Sequence, residues 1–139
     1  MKAVARWVQD AMFVGESGSG HAVVMDGAPE AGGRNLGARP MEMVLLGLAG
    51  CTGFDVVQIL KKARQPVSGC VVEVSAQRAD APPRVFTRIH VHYRVSGAAL
   101  AEHHVQRAVS LSAEKYCSVS VMLGRGAEIT HDFEITAAG

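Results

Sequence analysis

Arg39-Pro40-Met41-Glu42-Met43-Val44-Leu45-Leu46-Gly47-Leu48-Ala49-Gly50-Cys51-Thr52-Gly53-Phe54-Asp55-Val56-Val57-Gln58-Ile59-Leu60-Lys61-Lys62 reads as one long helix, apolar on nearly every face. Pro40 suits a first helical turn, where its missing amide is not needed, and Glu42 places a carboxylate near the positive helix end. Pro66 bars continuation, so the pattern predicts a helix from 40 to about 64, with the Lys61-Lys62-Ala63-Arg64 cluster complementing the negative end. At ~1.5 Å per residue it would be on the order of 35 Å long, enough to cross a small domain. A helix apolar all round belongs in a core or a membrane. A membrane span wants about 20 mostly apolar residues, and Glu42, Asp55 and Gln58 interrupt this one. The expectation is a buried central helix. Gly47, Gly50 and Gly53 recur every third residue along it, each costing about 1 kcal/mol relative to Ala in a helix interior. Close approach of another backbone is the usual compensation, so Cys51, beside two of these glycines, is expected at a tight contact.

Outward from this helix the pattern turns to strands. Residues 3–8 and 21–25 read as short strands, with the glycine-rich 15–20 as the turn of a hairpin or three-strand meander. Residues 26–39, with four glycines and Pro29, read as a loop. Residues 69–77 alternate with Cys70, Val72, Val74 and Ala76 facing inward. After Ala81-Pro82-Pro83 the alternation resumes, with Val85, Thr87, Ile89, Val91, Tyr93 and Val95 opposed to Arg84, Phe86, Arg88, His90, His92 and Arg94. Residues 98–115 have helical spacing at Leu100, Val105, Ala108, Val109 and Ser112, and 128–135 form a last strand. The fold class is α+β with mainly antiparallel sheet. No repeat or linker divides the 139 residues, so 1–139 is expected to be a single domain.

Composition narrows the function. The chain is 48% hydrophobic and 19% charged with a formal net charge of +1, which argues against disorder and gives no electrostatic case for a nucleic-acid partner. Its N-terminus has no apolar signal region, so a cytoplasmic protein is expected. The three cysteines are too few and oddly numbered for a secreted disulfide scaffold, and in a reducing compartment free thiols are the default. Free cysteine ordinarily packs as a small hydrophobe, the first reading of Cys51, Cys70 and Cys117 alike. The alternative is a thiol pair, which needs a neighbour that stabilises thiolate and Cα atoms within roughly 7 Å. His90 and His92 share a strand face, and His103-His104 follow on a helix; without a clear third and fourth ligand they read as exposed polar positions rather than a metal site. No phosphate loop, Ser-His-Asp pattern or paired-carboxylate motif stands out.

Two stretches taken together carry a resemblance. Pro40-Met41-Glu42 with an apolar helix through Gly50-Cys51-Thr52 and Asp55-Val56-Val57 is the first; Leu111-Ser112-x-Glu114-Lys115-Tyr116-Cys117-Ser118-Val119-Ser120 is the second. In this order they resemble the OsmC/Ohr superfamily, and within it the YhfA-like branch. The resemblance covers nearly the whole chain. It implies an OsmC-like fold in which antiparallel sheets surround a long buried central helix, and an intertwined homodimer with the two long helices packed together. It implies a thiol peroxidase in which Cys51 attacks an organic hydroperoxide and becomes a sulfenic acid. Cys117 would resolve that acid to a disulfide, and an external dithiol, such as one of the lipoyl type, would re-reduce it. No metal or organic cofactor and no membrane is called for. Relatives hold the attacking thiolate with an arginine from the N-terminal strands and a glutamate of an Asn-Pro-Glu segment. Here the segment reads Arg39-Pro40-Met41-Glu42, which moves the carboxylate one residue, about 100° around a helix. The turn at 15–20 lacks arginine, which leaves Arg39, with Arg6 and Arg34 behind it, as the supporting cation beside Glu42. The other function open on the same dimeric fold is a non-enzymatic module that binds a small molecule or senses redox state.

Overall fold

The computed structural model describes residues 1–137. The chain forms two compact units, Met1–Leu45 and a second from Leu46 onward, with the boundary inside the long helix.

In the first unit, β1 (Ala3–Gln9), β2 (Met12–Ser17) and β3 (Ala22–Met25) make an antiparallel meander in the order β1-β2-β3. The glycine-rich turn is shorter than the sequence pattern indicates: Gly15, Glu16 and Ser17 belong to β2, with Gly15 and Glu16 paired on both sides and Ser17 paired to Ala3 of β1. Ser17 N–H donates to the His21 carbonyl at 2.8 Å, closing the turn. The following loop is organised by Asp26, which is 2% exposed and accepts the amides of Gly27, Arg34 and Leu36 at 2.7, 3.2 and 3.1 Å. Burial alone would raise its pKa, but the three amides together with Arg39 hold the carboxyl below its usual value.

The helix α1 spans Pro40–Lys62. Glu42 Oε1 accepts the Arg39 amide at 2.8 Å, half of a capping box at the first turn. Its end falls two residues short of the expected 64, because Arg64 adopts φ 58°. The Gln65 amide bonds the Leu60 carbonyl at 2.9 Å and the Arg64 amide bonds Lys61 at 3.0 Å, the Schellman arrangement. By length and mean hydropathy (1.8) α1 could cross a membrane. It instead buries a stripe, Leu48, Thr52, Val56 and Leu60, at the i, i+4 spacing of one helix face. The expectation of burial all round is not met within the single chain: Leu46 is 58% and Phe54 66% exposed. The glycines follow the same division. A Cβ at Gly53 would lie 3.2 Å from Val72 Cγ2, whereas at Gly47 or Gly50 it would meet nothing within 4 Å.

The second unit carries a sheet of order β4-β5-β6, made of β4 (Val67–Arg78), β5 (Phe86–Gly97) and β6 (Glu128–Thr136). Cys70, Val72, Val74 and Ala76 pair with Val95, Tyr93, Val91 and Ile89, as the alternation of β4 predicts. The expected face assignment fails at the start of β5. Gln77 pairs with Arg88 but Arg78 with Phe86, so Thr87 is an extra residue. That bulge reverses the phase: Phe86 is buried, and Val85 is 51% exposed. β6 runs parallel to β5, a departure from the antiparallel sheets that the resemblance implies within a sheet arrangement that is mainly antiparallel as expected. A parallel neighbour needs a crossover, here α2 (Glu102–Leu111), one π turn at Ser112–Tyr116, and α3 (Ser118–Leu123). The single helix expected over 98–115 is thus shorter and followed by one wider π turn and the short helix α3. The core of this unit combines the α1 stripe with Ile89, Val91, Tyr93 and Val95 of β5 and Val105, Ala108 and Val109 of α2, all buried.

Candidate active site

Cys51 follows Leu48 by nearly one turn of α1 and directly precedes the buried Thr52. Cys117 stands at the joint between the π turn and α3. Its amide donates to the Ser112 carbonyl at 2.9 Å, closing the π turn, and its Sγ accepts the Ser120 amide at 3.4 Å as the cap of α3. All three thiols are free, with Cys117 at 0% exposure and Cys51 half-buried. Far apart in sequence, Cys51 and Cys117 are neighbours in space. Burial pushes the Cys117 thiol up to about 11 despite the Ser120 and Val119 amides, and the adjacent Cys51 side chain pushes it further in the same direction. Cys70 lies inward on β4, its thiol raised by burial.

Around this pair runs a buried polar chain that the sequence reading did not single out. Thr52 Oγ1 lies 2.6 Å from Tyr93 Oη and 2.7 Å from Ser112 Oγ, and Ser112 Oγ donates to Asp55 Oδ2 at 2.9 Å. A carboxylate can only accept. Ser112 therefore directs its one hydrogen to Asp55, accepts from Thr52, and leaves Thr52 to accept from Tyr93. Among the described residues no buried side-chain oxygen or nitrogen lacks a partner. Burial, offset in part by Thr52, pushes the Tyr93 phenol up to about 12, so it remains a donor at any physiological pH. The signal available in the sequence was modest: a threonine and a serine at positions where the helical stripes call for apolar residues. Asp55 is half-buried at the other end of the chain, on a cleft of about 740 Å³ between α1, α2 and the π turn, whose wall includes Phe54, Ile59, Leu111 and Tyr116 with Lys62 and Arg107.

The residues expected to support the site lie in the first unit. The Arg39 guanidinium bonds Asn35 Oδ1 at 2.9 Å and the Gly37 carbonyl at 3.2 Å, and Glu42 caps the Arg39 amide. Arg6 pairs with Glu16 across the β1–β2 ladder at 2.9 Å, and the Arg34 amide is one of those that hold Asp26. His90 and His92 lie on the polar face of the second sheet, and His103 and His104 on α2. His90 Nε2 and His92 Nδ1 both meet Asp132 Oδ1, at 2.9 and 2.7 Å, and His90 Nδ1 meets Thr130 Oγ1 at 2.7 Å. Among the described residues no cluster of three or more His, Cys, Asp or Glu has the arrangement of a metal site.

Comparison with known proteins follows the same lines. The family model for OsmC-like protein matches residues 32–132. The chain is 47% identical over 141 aligned residues to the protein YhfA of Escherichia coli K12, covering 99% of this chain and all of that one. A hypothetical protein from Aquifex aeolicus superimposes with a TM-score of 0.86 at 27% identity, over 99% of this chain and 97% of that one. The organic hydroperoxide resistance protein OhrB of Bacillus subtilis shares the fold, with a TM-score of 0.62 at 22% identity over 96% of each chain.

Proposed function

The chain belongs to the OsmC-like protein family, and from that membership we propose that it is a thiol peroxidase acting on organic hydroperoxides. The Cys51 thiolate attacks the peroxide, releasing an alcohol and becoming a sulfenic acid. Cys117 then displaces the sulfenic hydroxyl as water, forming the Cys51–Cys117 disulfide, and a small dithiol, such as one of the lipoyl type, returns both thiols by exchange. The observation that carries this reading is the proximity of the two thiols within the second unit, close enough for the Cys51 side chain to act on that of Cys117. Their unequal settings support the order of events. Attack requires a thiolate, and Cys117, pushed up to about 11, is the wrong group for it. In the resolving step the Cys117 proton passes to the departing hydroxide as the Cys117 sulfur attacks, so that the hydroxide leaves as water.

Residues 1–139 act in this proposal as one OsmC-like domain, in a reducing cytoplasm. Arg39 and Glu42 support the site through their hold on the first turn of α1. A homodimer is part of the proposal, supported by the apolar side chains a single chain leaves open: Leu46 and Phe54 on α1, and Trp7 on β1 at 66% exposure.

The test is a thiol count on the reduced protein after cumene hydroperoxide. Loss of two thiols per chain, abolished by Cys51→Ser, is expected; an unreactive Cys51 sinks the proposal. The second reading, a binding or redox-sensing module, is favoured by Arg39, whose guanidinium is already engaged by Asn35 and Gly37. A ligand-induced rise in Tm that survives Cys51→Ser, with no turnover, would select it.

A further inference from the structure

We propose that Thr52 and Ser112, anchored by Asp55, are positioning residues that hold the turn carrying Cys51 against the turn carrying Cys117, so that the two sulfurs meet. The inference rests on the disulfide step proposed above and gives Thr52, Ser112 and Asp55 a role that the resemblance does not assign to them.

Two elements have to be registered for the thiols to face each other. Cys51 is on α1, where its place is set by the helix and by the residue that follows it. Thr52 is in the buried stripe and is 1% exposed. Its hydroxyl reaches across to Ser112 Oγ at 2.7 Å. Cys117 hangs from the other element. Ser112 opens the π turn and receives the Cys117 amide on its own carbonyl at 2.9 Å. One residue, Ser112, therefore bonds the neighbour of Cys51 with its side chain and Cys117 itself with its main chain. The link closes a ring: Cys51, the peptide to Thr52, the Thr52–Ser112 hydroxyl pair, the Ser112 carbonyl, the Cys117 amide, and back through the adjacent thiols. π turns are rare and often mark functional sites, and this one supplies the five-residue hydrogen bond that brings the Cys117 amide back to Ser112.

Asp55 gives the ring a direction. By accepting from Ser112 at 2.9 Å it leaves the Ser112 oxygen as the acceptor for Thr52. The competing contact, Ser112 Oγ to the Thr52 carbonyl, is longer at 3.4 Å. A hydroxyl on each side, rather than two apolar groups, makes the spacing between elements specific to within a hydrogen bond. Displacement by about 1 Å at such a contact can cost on the order of a hundredfold in a step that depends on alignment.

The experiment equilibrates full-length protein with glutathione redox buffers and measures the effective concentration of the Cys51–Cys117 pair as an intrachain disulfide, by alkylation and mass analysis. No hydroperoxide is present, so failure of the peroxidase reading leaves the measurement intact. Thr52→Val and Ser112→Ala are expected to lower the effective concentration by about ten- to a hundredfold, and Thr52→Ser to restore it to within about threefold, since serine keeps the hydroxyl. Circular dichroism reports whether each variant folds. Should Thr52→Val not fold, Asp55→Ala, at the half-buried end of the chain, decides the matter with a fall of at least about threefold. A merely structural role would lower Tm while leaving the effective concentration unchanged, and that result overturns the proposal. So does a parent protein that forms no intrachain Cys51–Cys117 disulfide in oxidising buffer.

Discussion

Thr52→Val is the most informative stability variant, because it removes one hydroxyl from a buried chain while nearly conserving volume. Among the described residues Thr52 Oγ1 is the only hydrogen-bond partner of the Tyr93 phenol, at 2.6 Å, and Tyr93 is 1% exposed. Valine therefore leaves a phenolic O–H buried and unpaired, which costs about 1–3 kcal/mol. Loss of the bond to Ser112 adds up to about 1 kcal/mol, and Ser112 itself keeps Asp55. The expected total is roughly 2–3 kcal/mol. For 139 residues, an unfolding entropy of about 2.1 cal/mol/K per residue makes each kcal/mol worth roughly 3 °C in Tm, so the expected loss is roughly 7–10 °C. Tyr93→Phe removes the end of the chain instead and leaves Thr52 bonded to Ser112, costing about 1 kcal/mol. The double variant has neither the orphaned donor nor its partner. It should be more stable than Thr52→Val alone, by roughly 1 kcal/mol or more, a strongly non-additive cycle. Thermal and urea melts of the four proteins at one protein concentration measure this. Additive effects, or a double variant less stable than Thr52→Val, would refute the chain as drawn.

Two further outcomes follow from other parts of the molecule. The hydrogen bond to Asp132, offset in part by desolvation and assisted by Glu134, raises the pKa of His92 above 6.5, while His92 and then His90 lower Asp132 below 3.8. The raised histidine contributes stability that is present below 6.5 and lost as pH rises through its folded value. The depressed carboxylate contributes stability present above 3.8 and lost as pH falls through its folded value. The pair should thus stabilise the fold between those two folded values, and Asp132→Asn should bring the NMR-titrated pKa of His92 back toward 6.5; an unchanged His92 titration would contradict the contact. Phe54→Glu places a charge on the open face of α1, where Phe54 is 66% exposed. If that face meets a second copy, light scattering should show the mass falling from two chains to one, and an unchanged dimer would move the interface elsewhere.

Much of the fold was legible because local patterns and tertiary burial agree there. Pro40 and Pro66 bracket α1, and the alternation of β4 survives as written because Cys70, Val72, Val74 and Ala76 all face the core. The pattern misled where the register of one strand depended on its neighbour. Thr87 is a bulge only because Gln77 and Arg78 pair on either side of it, and nothing in residues 84–88 alone reveals that. The parallel placement of β6 is likewise a property of the crossover rather than of its own residues.

For the site, the sequence determined which groups exist: two cysteines in distinctive settings, a helix long enough to present one of them, and motifs that identify the family. It also bounded the chemistry, since a near-neutral chain without metal or phosphate motifs leaves thiols as the conspicuous reactive groups. Only the tertiary structure decided that Cys51 and Cys117 are neighbours, that Cys117 is sealed from water, and that Thr52, Ser112, Asp55 and Tyr93 form one chain beside them. The physical reason is range. Helical and strand periodicity are set by residues a few positions apart, whereas thiol contact and desolvation depend on which distant segments the core packs together.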